Sequence, residues 1–553
     1  MCINGIFIKI FILIIFICIK NIFDHISINP YKIKDFQELT LDEKIGQLLV
    51  IGFKGLNLTD DIKEMLKKYK FGNFILFSRN YNNLEQLEKL TRDIHEEVIK
   101  SIGIMPFISI DQEGGNVVRI RDKSTFYPGP MTLSATNISN AEQIGHMMGK
   151  HLMALGINMN FAPLLDVNNN PKNPVIGIRS FSDNIEMVSK YGTTVIKGMK
   201  EEGIIATAKH FPGHGDTEID SHLGLPILPF DKNRLYNIEL KPFKYAIENG
   251  VDNIMTAHII FKDIDKENPA TISKSILKDL LRDELKYNGL ITSDCMEMKA
   301  ISDGITTPIG VAKAIEAGVD LALVCHTKEK QIDSLNKIKQ FIEDNLIAID
   351  EIDDKVNRIL RYKKKVYSKM KNNYFKNKNN LQIFNDNQEK FIQNIVDSSL
   401  TYVNGKKLEL KGKVLVYWCK QLALNKAEDS LSDETFGDLL NKEIPTITSI
   451  SYKIDKYSKE LIDKALNYDT VIFISSNAFS KESQSKMINE LNHICSNFYV
   501  ISIRNPYDYL SLEKNVNLYT MYESTPNSMK TIIKFLKGEI EPNGILPIKL
   551  KFN

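Results

Sequence analysis

The feature that most constrains the fold of this 553-residue chain is a repeated alternation of β-rich apolar runs with longer amphipathic stretches. Stretches such as Leu84–Lys100 and Ala141–Leu155 have apolar residues at helical spacing. The runs between such stretches are predicted as strands: Gly46–Phe53, Phe71–Phe77, Met105–Asp111, Ile157–Val167, Ile204–His210, Val251–His258, Gly289–Asp294 and Val319–Cys325. Eight strand–helix units predict a (β/α)8 TIM-type barrel, with an open doubly wound sheet as the alternative.

A second, smaller α/β region follows the predicted barrel. Four further strands are predicted there: Lys413–Trp418, Thr470–Ser475, Phe498–Ile503 and Val516–Met521. With helices between them, they indicate a three-layer α/β sandwich. The basic segment Arg361–Asn380 has no apolar period and predicts a solvated linker or a fraying helix end, with a membrane or polyanion patch as the alternative. The predicted organisation is an N-terminal segment (1–35), the barrel (36–365), a basic linker (366–388) and the sandwich domain (389–553).

Charge and cysteine usage exclude several classes of protein. Lys and Arg number 71 against 69 Asp and Glu, so a net charge of +2 gives no overall field that would select nucleic acid as a partner. The six cysteines lack the short paired spacings of a zinc site or a disulfide scaffold. Neither disulfides nor a structural metal is therefore predicted.

The N-terminal segment contains ten uninterrupted apolar residues, Ile10–Ile19, between two lysines. Because a membrane-spanning helix needs roughly 20 residues, this run is more typical of the central region of a secretory signal. A thin membrane anchor, lipidation of Cys18 and a buried helix are the alternatives. We expect an extracytoplasmic protein that is secreted or anchored at the cell envelope.

Polar residues stand at or just after the ends of several predicted strands. Examples are Asp111, Asp166, the pair Lys209 and His210, and Asp294. A barrel gathers its strand ends at one face, so residues far apart in the sequence are expected to converge on one pocket.

The segment Lys209–Pro226, KHFPGHGDTEIDSHLGLP, concentrates the most chemically capable residues. Its glycines and prolines predict a loop that carries a polar site. One interpretation is a metal site, whose ligands would be His210, His214, Asp216 and His222. A purely structural loop is another. The third is a proton-transfer site, in which the Asp220 carboxylate orients His222 and stabilises its charged form.

This loop resembles the signature of glycoside hydrolase family 3 in its β-N-acetylglucosaminidase branch. There, K-H-F-P-G-H-G is followed by an Asp-Ser-His triplet, which corresponds here to residues 220–222. The resemblance implies that His222 is the catalytic acid/base and that Asp220 assists it. In the β-glucosidase branch, a Glu from the second domain serves as the acid. The Asp-Ser-His triplet implies that this chain does not need such a Glu.

Further segments resemble the same family in the same chain order. They are IDQEGGNVVR (110–119), NFAPLLDVNNNP with IGIRSF (160–181), and GLITSDCMEMKAI (289–301), while the ending GEIEPNGILPIKL is a weaker match. The resemblance implies Asp294 as the nucleophile. It also implies a set of sugar-binding residues: Asp111, Arg119, Arg179, Lys209 and His210. One departure is Cys295 with Met296, where relatives more often have Ala or Asp followed by Leu.

Asp294 also suits this role on its position alone. A carboxylate directly after a barrel strand can attack an anomeric carbon, although a lone Asp there could equally cap a helix. Together the segments predict a retaining, exo-acting β-N-acetylglucosaminidase that acts on peptidoglycan fragments or chitooligosaccharides, without a metal or organic cofactor. The alternatives are a phosphorylase or β-glucosidase of the same family, a metal-dependent hydrolase, and a non-catalytic glycan-binding protein.

Overall fold

The computed structural model describes residues 34–377, 380–419, 427–428 and 435–549. The apolar run Ile10–Ile19 lies outside the described residues. Within the described ranges, none of the helices combines the length and the apolar character needed to cross a bilayer.

Eight parallel strands close into a barrel in the order β1-β10-β9-β7-β5-β4-β3-β2, as predicted. The barrel strands are β1 (Leu49–Ile51), β2 (Asn73–Leu76), β3 (Phe107–Ile110), β4 (Met159–Asn160), β5 (Ile205–Phe211), β7 (Asn253–Thr256), β9 (Leu290–Cys295) and β10 (Leu321–Val324). Two short strands, β6 (Ile227–Leu228) and β8 (Ile260–Phe261), pair with each other outside the barrel. The open doubly wound sheet is therefore excluded.

Helices follow most barrel strands and cover the outside of the barrel. The α-helices of this region are Leu41–Gln47, Asp60–Tyr69, Leu84–Ile102, Pro130–Ser134, Ile138–Ala154, Ile185–Glu201, Lys232–Asn237, Leu240–Glu248, Lys299–Ser302, Thr307–Ala317, Lys328–Glu343 and Ile349–Asn373, and Ser275–Glu284 is a π-helix. Short 3-10 turns occupy Phe36–Glu38, Ser78–Asn80, Lys123–Thr125, Gly177–Arg179 and Ala270–Ile272. Apolar faces at helical spacing let these helices pack on the barrel.

Six of the eight predicted barrel strands are shorter than the apolar runs that suggested them, and two of them differ most. In the first, Gly46 belongs to the helix Leu41–Gln47, and the strand begins only at Leu49. In the run Ile157–Val167, only Met159–Asn160 is strand. Pro163 lacks the N–H that a continued strand would donate, and beyond Asn160 the ladder with β5 is reduced to an isolated bridge between Leu164 and Lys209.

The second domain is built on a six-stranded sheet in the order β11-β16-β15-β14-β12-β13, in which β11 and β16 are antiparallel. Its strands are β11 (Thr401–Asn404), β12 (Val414–Cys419), β13 (Thr448–Tyr452), β14 (Thr470–Ser475), β15 (Phe498–Ser502) and β16 (Asn517–Thr520). Its helices are Asp386–Ser399, Phe436–Glu443, Lys459–Ala465, Glu482–Ile494 and Pro526–Leu536, with 3-10 turns at Asn380–Ile383, Ala478–Ser480 and Pro506–Ser511. Val416 and Tyr417 enter different hydrophobic cores on the two faces, so the domain has the predicted three layers.

The first part of the basic segment is the end of a helix, so of the two predictions the helix end is correct there and the solvated linker is wrong. Helix Ile349–Asn373 runs through the basic segment, and Met370 and Tyr374 are buried. Lys363 is buried as well, and its ammonium donates to Gln47 Oε1 at 2.7 Å and to the Gly72 carbonyl at 3.0 Å. Apolar residues at helical spacing are few in this segment, and the lysines between them make the spacing hard to recognise in the sequence.

The second domain docks on the barrel through a shared apolar cluster. Its members are Met131, Ala135, Ile178, Tyr507, Tyr522 and Ile548. Beside it, the buried Glu523 accepts hydrogen bonds from the Gly129 N–H at 2.9 Å and from the Thr132 hydroxyl at 2.7 Å. This contact fixes the segment that precedes helix Pro130–Ser134 against the second domain.

Candidate active site

A cavity of about 390 Å³ opens at the carboxyl ends of the barrel strands. Its lining includes most of the residues that the sequence predicted: Asp111, Arg119, Arg179, Lys209, His210, His222 and Asp294. Asp220 stands behind His222 and is hydrogen-bonded to it. Residues up to 183 positions apart in the sequence therefore share one pocket, because parallel strands present their carboxyl ends at the same face.

One side of the pocket, which we call the buried wall, is a network of four charged residues: Asp111, Glu113, Arg179 and Lys209. Arg179 donates to both oxygens of Glu113, with its Nε at 2.9 Å and Nη2 at 2.7 Å. The Lys209 ammonium lies 2.7 Å from Glu113 Oε1 and 3.0 Å from Asp111 Oδ1. Arg119 stands at the rim of this network, with its Nη2 4.0 Å from Asp111 Oδ2.

Glu113 organises the buried wall electrostatically. Burial by itself would raise its pKa, but the Arg179 and Lys209 cations outweigh that effect and hold the pKa of Glu113 well below its usual range. In turn, although burial opposes the charged amine, the carboxylates of Glu113 and Asp111 raise the pKa of Lys209. The wall therefore presents charged donors and acceptors at the pocket.

The backbone after Glu113 makes a turn that only glycine accommodates easily. Gly114 and Gly115 have φ values of +94° and +56°, and a Cβ on Gly115 would lie 2.8 Å from the Gly129 Cα atom. Glu113 is not among the site residues predicted from the sequence. The signal was its place in the segment IDQEGG, two residues after the proposed sugar ligand Asp111.

Asp166 holds together the first half of the loop that follows β5. Its Oδ2 is 2.9 Å from His210 Nδ1, and its Oδ1 accepts the His214 N–H at 2.7 Å. The His214 ring bonds to the Ser221 hydroxyl at 3.0 Å and to the Thr217 hydroxyl at 2.7 Å. Asp166 thus positions the backbone of the loop at His214 and orients the His210 ring at the pocket.

The loop residues considered as metal ligands are not brought together. His210 bonds to Asp166, His214 to Ser221, and His222 to Asp220. Asp216 forms an ion pair with Arg234 at 2.5 Å. Each imidazole or carboxylate has its own partner, which does not favour the loop metal site.

Asp220 and His222 form a carboxylate–imidazole dyad. Asp220 Oδ1 accepts from His222 Nδ1 at 2.7 Å and from the His222 backbone N–H at 2.9 Å. Burial disfavours the imidazolium, yet the Asp220 hydrogen bond and the negative charges of Asp294 and Asp220 raise the pKa of His222. Since Nδ1 is engaged, Nε2 is the ring nitrogen available for proton exchange with a ligand.

Asp294 is the penultimate residue of β9 and is only partly exposed. Although burial alone would raise its pKa, the charges of His210, His258 and His222, with the Cys295 N–H at 2.7 Å, lower the pKa of Asp294 to about 2. Its carboxylate is therefore ionised at neutral pH.

A second cluster lies beside Asp294 on the same pocket. Hydrogen bonds with Cys325 and His326 outweigh burial and lower the pKa of the Cys295 thiol. His258 packs at this corner, since its Nε2 is 3.1 Å from the Cys295 carbonyl. Its ring also bonds to the Thr271 hydroxyl at 2.7 Å.

The second domain reaches this pocket through Ala427, which lines it. The adjacent Glu428 is buried in an ion pair with Arg504. The 3-10 turn that carries Arg179 is also braced from the second domain, because a Cβ on Gly177 would lie only 2.7 Å from Asn505 Oδ1. The second domain thus contributes to the shape of the pocket.

An ionised carboxylate and a carboxylate–imidazole dyad on one barrel pocket, beside charged groups suited to hydroxyls, define a glycoside hydrolase. The comparison with known families agrees. The model of the glycosyl hydrolase family 3 N-terminal domain matches residues 40–362, more than half of the chain, and the chain belongs to this family.

Named relatives and solved structures lie in the same family. The chain is 34% identical over 369 residues to a beta-hexosaminidase A of Pseudoalteromonas piscicida, with 59% of this chain and 62% of that protein covered. A beta-hexosaminidase of Haemophilus influenzae is 38% identical over 297 residues, which are 53% of this chain and 83% of that protein. The structure of a family 3 beta-N-acetylglucosaminidase from Paenibacillus sp. str. FPU-7 superposes with a TM-score of 0.86 at 35% identity, covering 93% of this chain and 100% of the other.

Proposed function

We propose that this chain is a retaining, exo-acting β-N-acetylglucosaminidase that releases terminal β-linked N-acetylglucosamine from peptidoglycan fragments or chitooligosaccharides. The observation that carries the proposal is the pairing, on one pocket, of Asp294 with the Asp220–His222 dyad. The pKa of Asp294 is lowered while that of His222 is raised, so one group is a ready nucleophile and the other a ready acid. The names of the relatives favour the hexosaminidase activity.

In the first step, an oxygen of Asp294 bonds to the anomeric carbon while the glycosidic bond breaks. His222 Nε2 gives its proton to the departing oxygen, and Asp220 stabilises the ring through Nδ1. In the second step, His222 takes a proton from water as the water oxygen displaces Asp294. Two displacements at one carbon leave its configuration unchanged.

The buried wall holds the terminal sugar during both steps. Asp111 offers carboxylate oxygens to sugar hydroxyls, while Arg179 and Lys209 offer charged donors whose positions Glu113 fixes. Arg119 and His210 line the same cavity and complete the predicted set of sugar ligands. Pre-positioned donors and acceptors place the anomeric carbon at the nucleophile.

The decisive experiment measures hydrolysis of p-nitrophenyl N-acetyl-β-glucosaminide by wild type and by the Asp294→Ala variant. We expect the variant to lose about 10⁴-fold in kcat, as for removal of other covalent nucleophiles. Asp216→Ala is the matched control, because Asp216 lies on the same loop as His222 but pairs with Arg234. Full activity of Asp294→Ala would contradict the mechanism.

The product shows both the stereochemical course of the reaction and whether water or phosphate accepts the sugar. Nuclear magnetic resonance of the sugar released first should show the β-anomer. The same reaction with inorganic phosphate should still yield free N-acetylglucosamine. A sugar phosphate as the main product would instead assign the chain as a phosphorylase.

We also propose that residues 1–35 direct export or membrane anchoring. The support is the apolar run Ile10–Ile19. Cell fractionation combined with N-terminal sequencing tests this, and a cytosolic protein with an intact N-terminus would refute it.

A further inference from the structure

The corner of the pocket beside Asp294 carries three potential metal ligands that the proposed mechanism does not use. One ligand atom each from Cys295, Glu297 and His326 lies within 4.8 Å of the other two. Within the described ranges of the chain, no other group of three or more His, Cys, Asp or Glu residues meets this condition. Cys295 also belongs to the dipeptide in which this chain departs from its family's pattern.

Two adjacent barrel strands bring these residues together. Cys295 is the last residue of β9, and its partner in the ladder is Leu323 of β10, three residues before His326. The His326 N–H donates to Glu297 Oε2 at 2.6 Å and links the two loops. The His326 imidazole packs against the Phe77 ring, with 5.3 Å between the two ring centroids. The ligands therefore stand on a rigid frame.

The donor chemistry selects the kind of cation. A thiolate is too soft a ligand for Mg²⁺ or Ca²⁺, whereas sulfur, imidazole and carboxylate together suit Zn²⁺. Tetrahedral zinc holds its ligand atoms about 3.5 Å apart, so small side-chain rotations close the cluster around an ion. The Arg79 guanidinium, which donates to the Cys325 carbonyl at 2.8 Å, adds a nearby positive charge and limits the affinity.

We propose that Cys295, Glu297 and His326 form a binding site for Zn²⁺ or a similar thiophilic divalent cation on the pocket wall next to the nucleophile. Binding releases the thiol proton to solvent and leaves the fourth position of the ion for water. An ion at this corner occupies pocket space and places positive charge beside Asp294. It therefore inhibits the enzyme.

The test titrates the full chain with Co²⁺ and follows the thiolate-to-cobalt charge-transfer absorption, a readout that needs no activity. Zinc should displace the cobalt and protect Cys295 from alkylation by iodoacetamide, as read by peptide mass spectrometry. We expect Glu297→Gln and His326→Asn to weaken zinc binding at least about ten-fold. His326 is exposed, so its substitution spares the fold, which circular dichroism checks.

Two controls separate this site from other histidines. His146→Asn removes an imidazole that lies 3.2 Å from Glu201 and 3.0 Å from Glu202 on the outside of the barrel, and it should leave the titration unchanged. His222→Ala should also keep the charge-transfer band, because the dyad is not a ligand. The site is overturned if Glu297→Gln and His326→Asn bind zinc like wild type, or if His222→Ala abolishes the band.

Inhibition of hydrolysis by zinc, reversed by a chelator, is the second readout and rests on the proposed function. Each variant is compared with its own metal-free rate. Glu297→Gln and His326→Asn should need at least about ten-fold more zinc for half-inhibition. Absence of the spectral band in wild type contradicts the metal site, whereas absence of glycosidase activity in the metal-free wild type contradicts the proposed function.

Discussion

The buried wall and the catalytic loop, residues 213–225, face the same pocket but are built differently. The Glu113 and Lys209 side chains of the wall are 1% and 3% exposed. On the loop, Ile219 and Leu223 flank the dyad and are 50% and 58% exposed. The proposed sugar ligands thus belong to the folded core, whereas the proposed proton-transfer dyad is carried on a loop with exposed apolar residues on either side of it. Changes in the wall should affect stability and activity together, and changes in the loop should affect activity alone.

Removal of Glu113 should have the largest effect. Glu113→Ala leaves the Arg179 and Lys209 cations buried side by side, so we expect a loss of about 3–5 kcal/mol in the free energy of unfolding. Activity should be abolished with it. Urea denaturation and kcat/KM measure the two effects.

The surface variant Glu186→Ala controls for the loss of a carboxylate, since its side chain is 83% exposed. Glu113→Gln keeps the volume of the side chain and some of its hydrogen bonds. Its free energy of unfolding should therefore fall between those of Glu113→Ala and Glu186→Ala. An unchanged unfolding free energy for Glu113→Ala would break the contrast between wall and loop.

Next in size is His222→Ala, which should affect activity without affecting stability. Loss of a general acid lowers kcat/KM by about 10²–10⁴-fold on chitobiose. The loss should be smaller on the p-nitrophenyl substrate, because p-nitrophenolate leaves without a proton. We expect the free energy of unfolding to change by about 1 kcal/mol, the typical effect of a single substitution, since the His222 side chain is 26% exposed. Equal losses on both substrates would argue against His222 as the acid.

A smaller effect is expected for Asp220→Asn. The Asp220 carboxylate stabilises the imidazolium, so without it the pKa of His222 falls. Activity requires protonated His222 in the first step, and the alkaline limb of the pH profile of kcat/KM should therefore move to lower pH.

The loss at the optimum should be about ten-fold, below the 10²–10⁴-fold expected for losing the acid/base itself. Asp216→Asn, on the same loop, should leave the profile in place. An unmoved alkaline limb in Asp220→Asn would mean that Asp220 does not tune the acid.

The smallest effect should come from Leu223→Ser. With 58% of Leu223 exposed, little apolar area is lost, and we expect about 0.5 kcal/mol or less. Leu164→Ser, at a position of 0% exposure near the wall, should instead cost about 2 kcal/mol or more. Calorimetric unfolding compares them, and a large loss of kcat/KM in Leu223→Ser would reveal a substrate contact on the loop.

Local sequence was enough to predict the eight strands and the convergence of strand-end residues, because position on a parallel strand decides which face a residue reaches. The same reasoning brought Asp111, Lys209 and Asp294 to one pocket. It failed at helix Ile349–Asn373, where lysines interrupt a helical period, and at the outer strands β11 and β13 of the second domain, whose short polar-rich sequences resemble loops.

Only the tertiary structure decided which charged and ligand-bearing residues pair with each other. Nothing local to Glu113 indicates that it pairs with Arg179, 66 residues away, and nothing local to Cys295 indicates that it meets His326. Such pairs form because the closed barrel brings separate strand ends within a few ångströms, where buried charges must find opposite partners. The sequence by itself determined which groups reach the pocket, and the packing of the barrel and the second domain decided which of them touch.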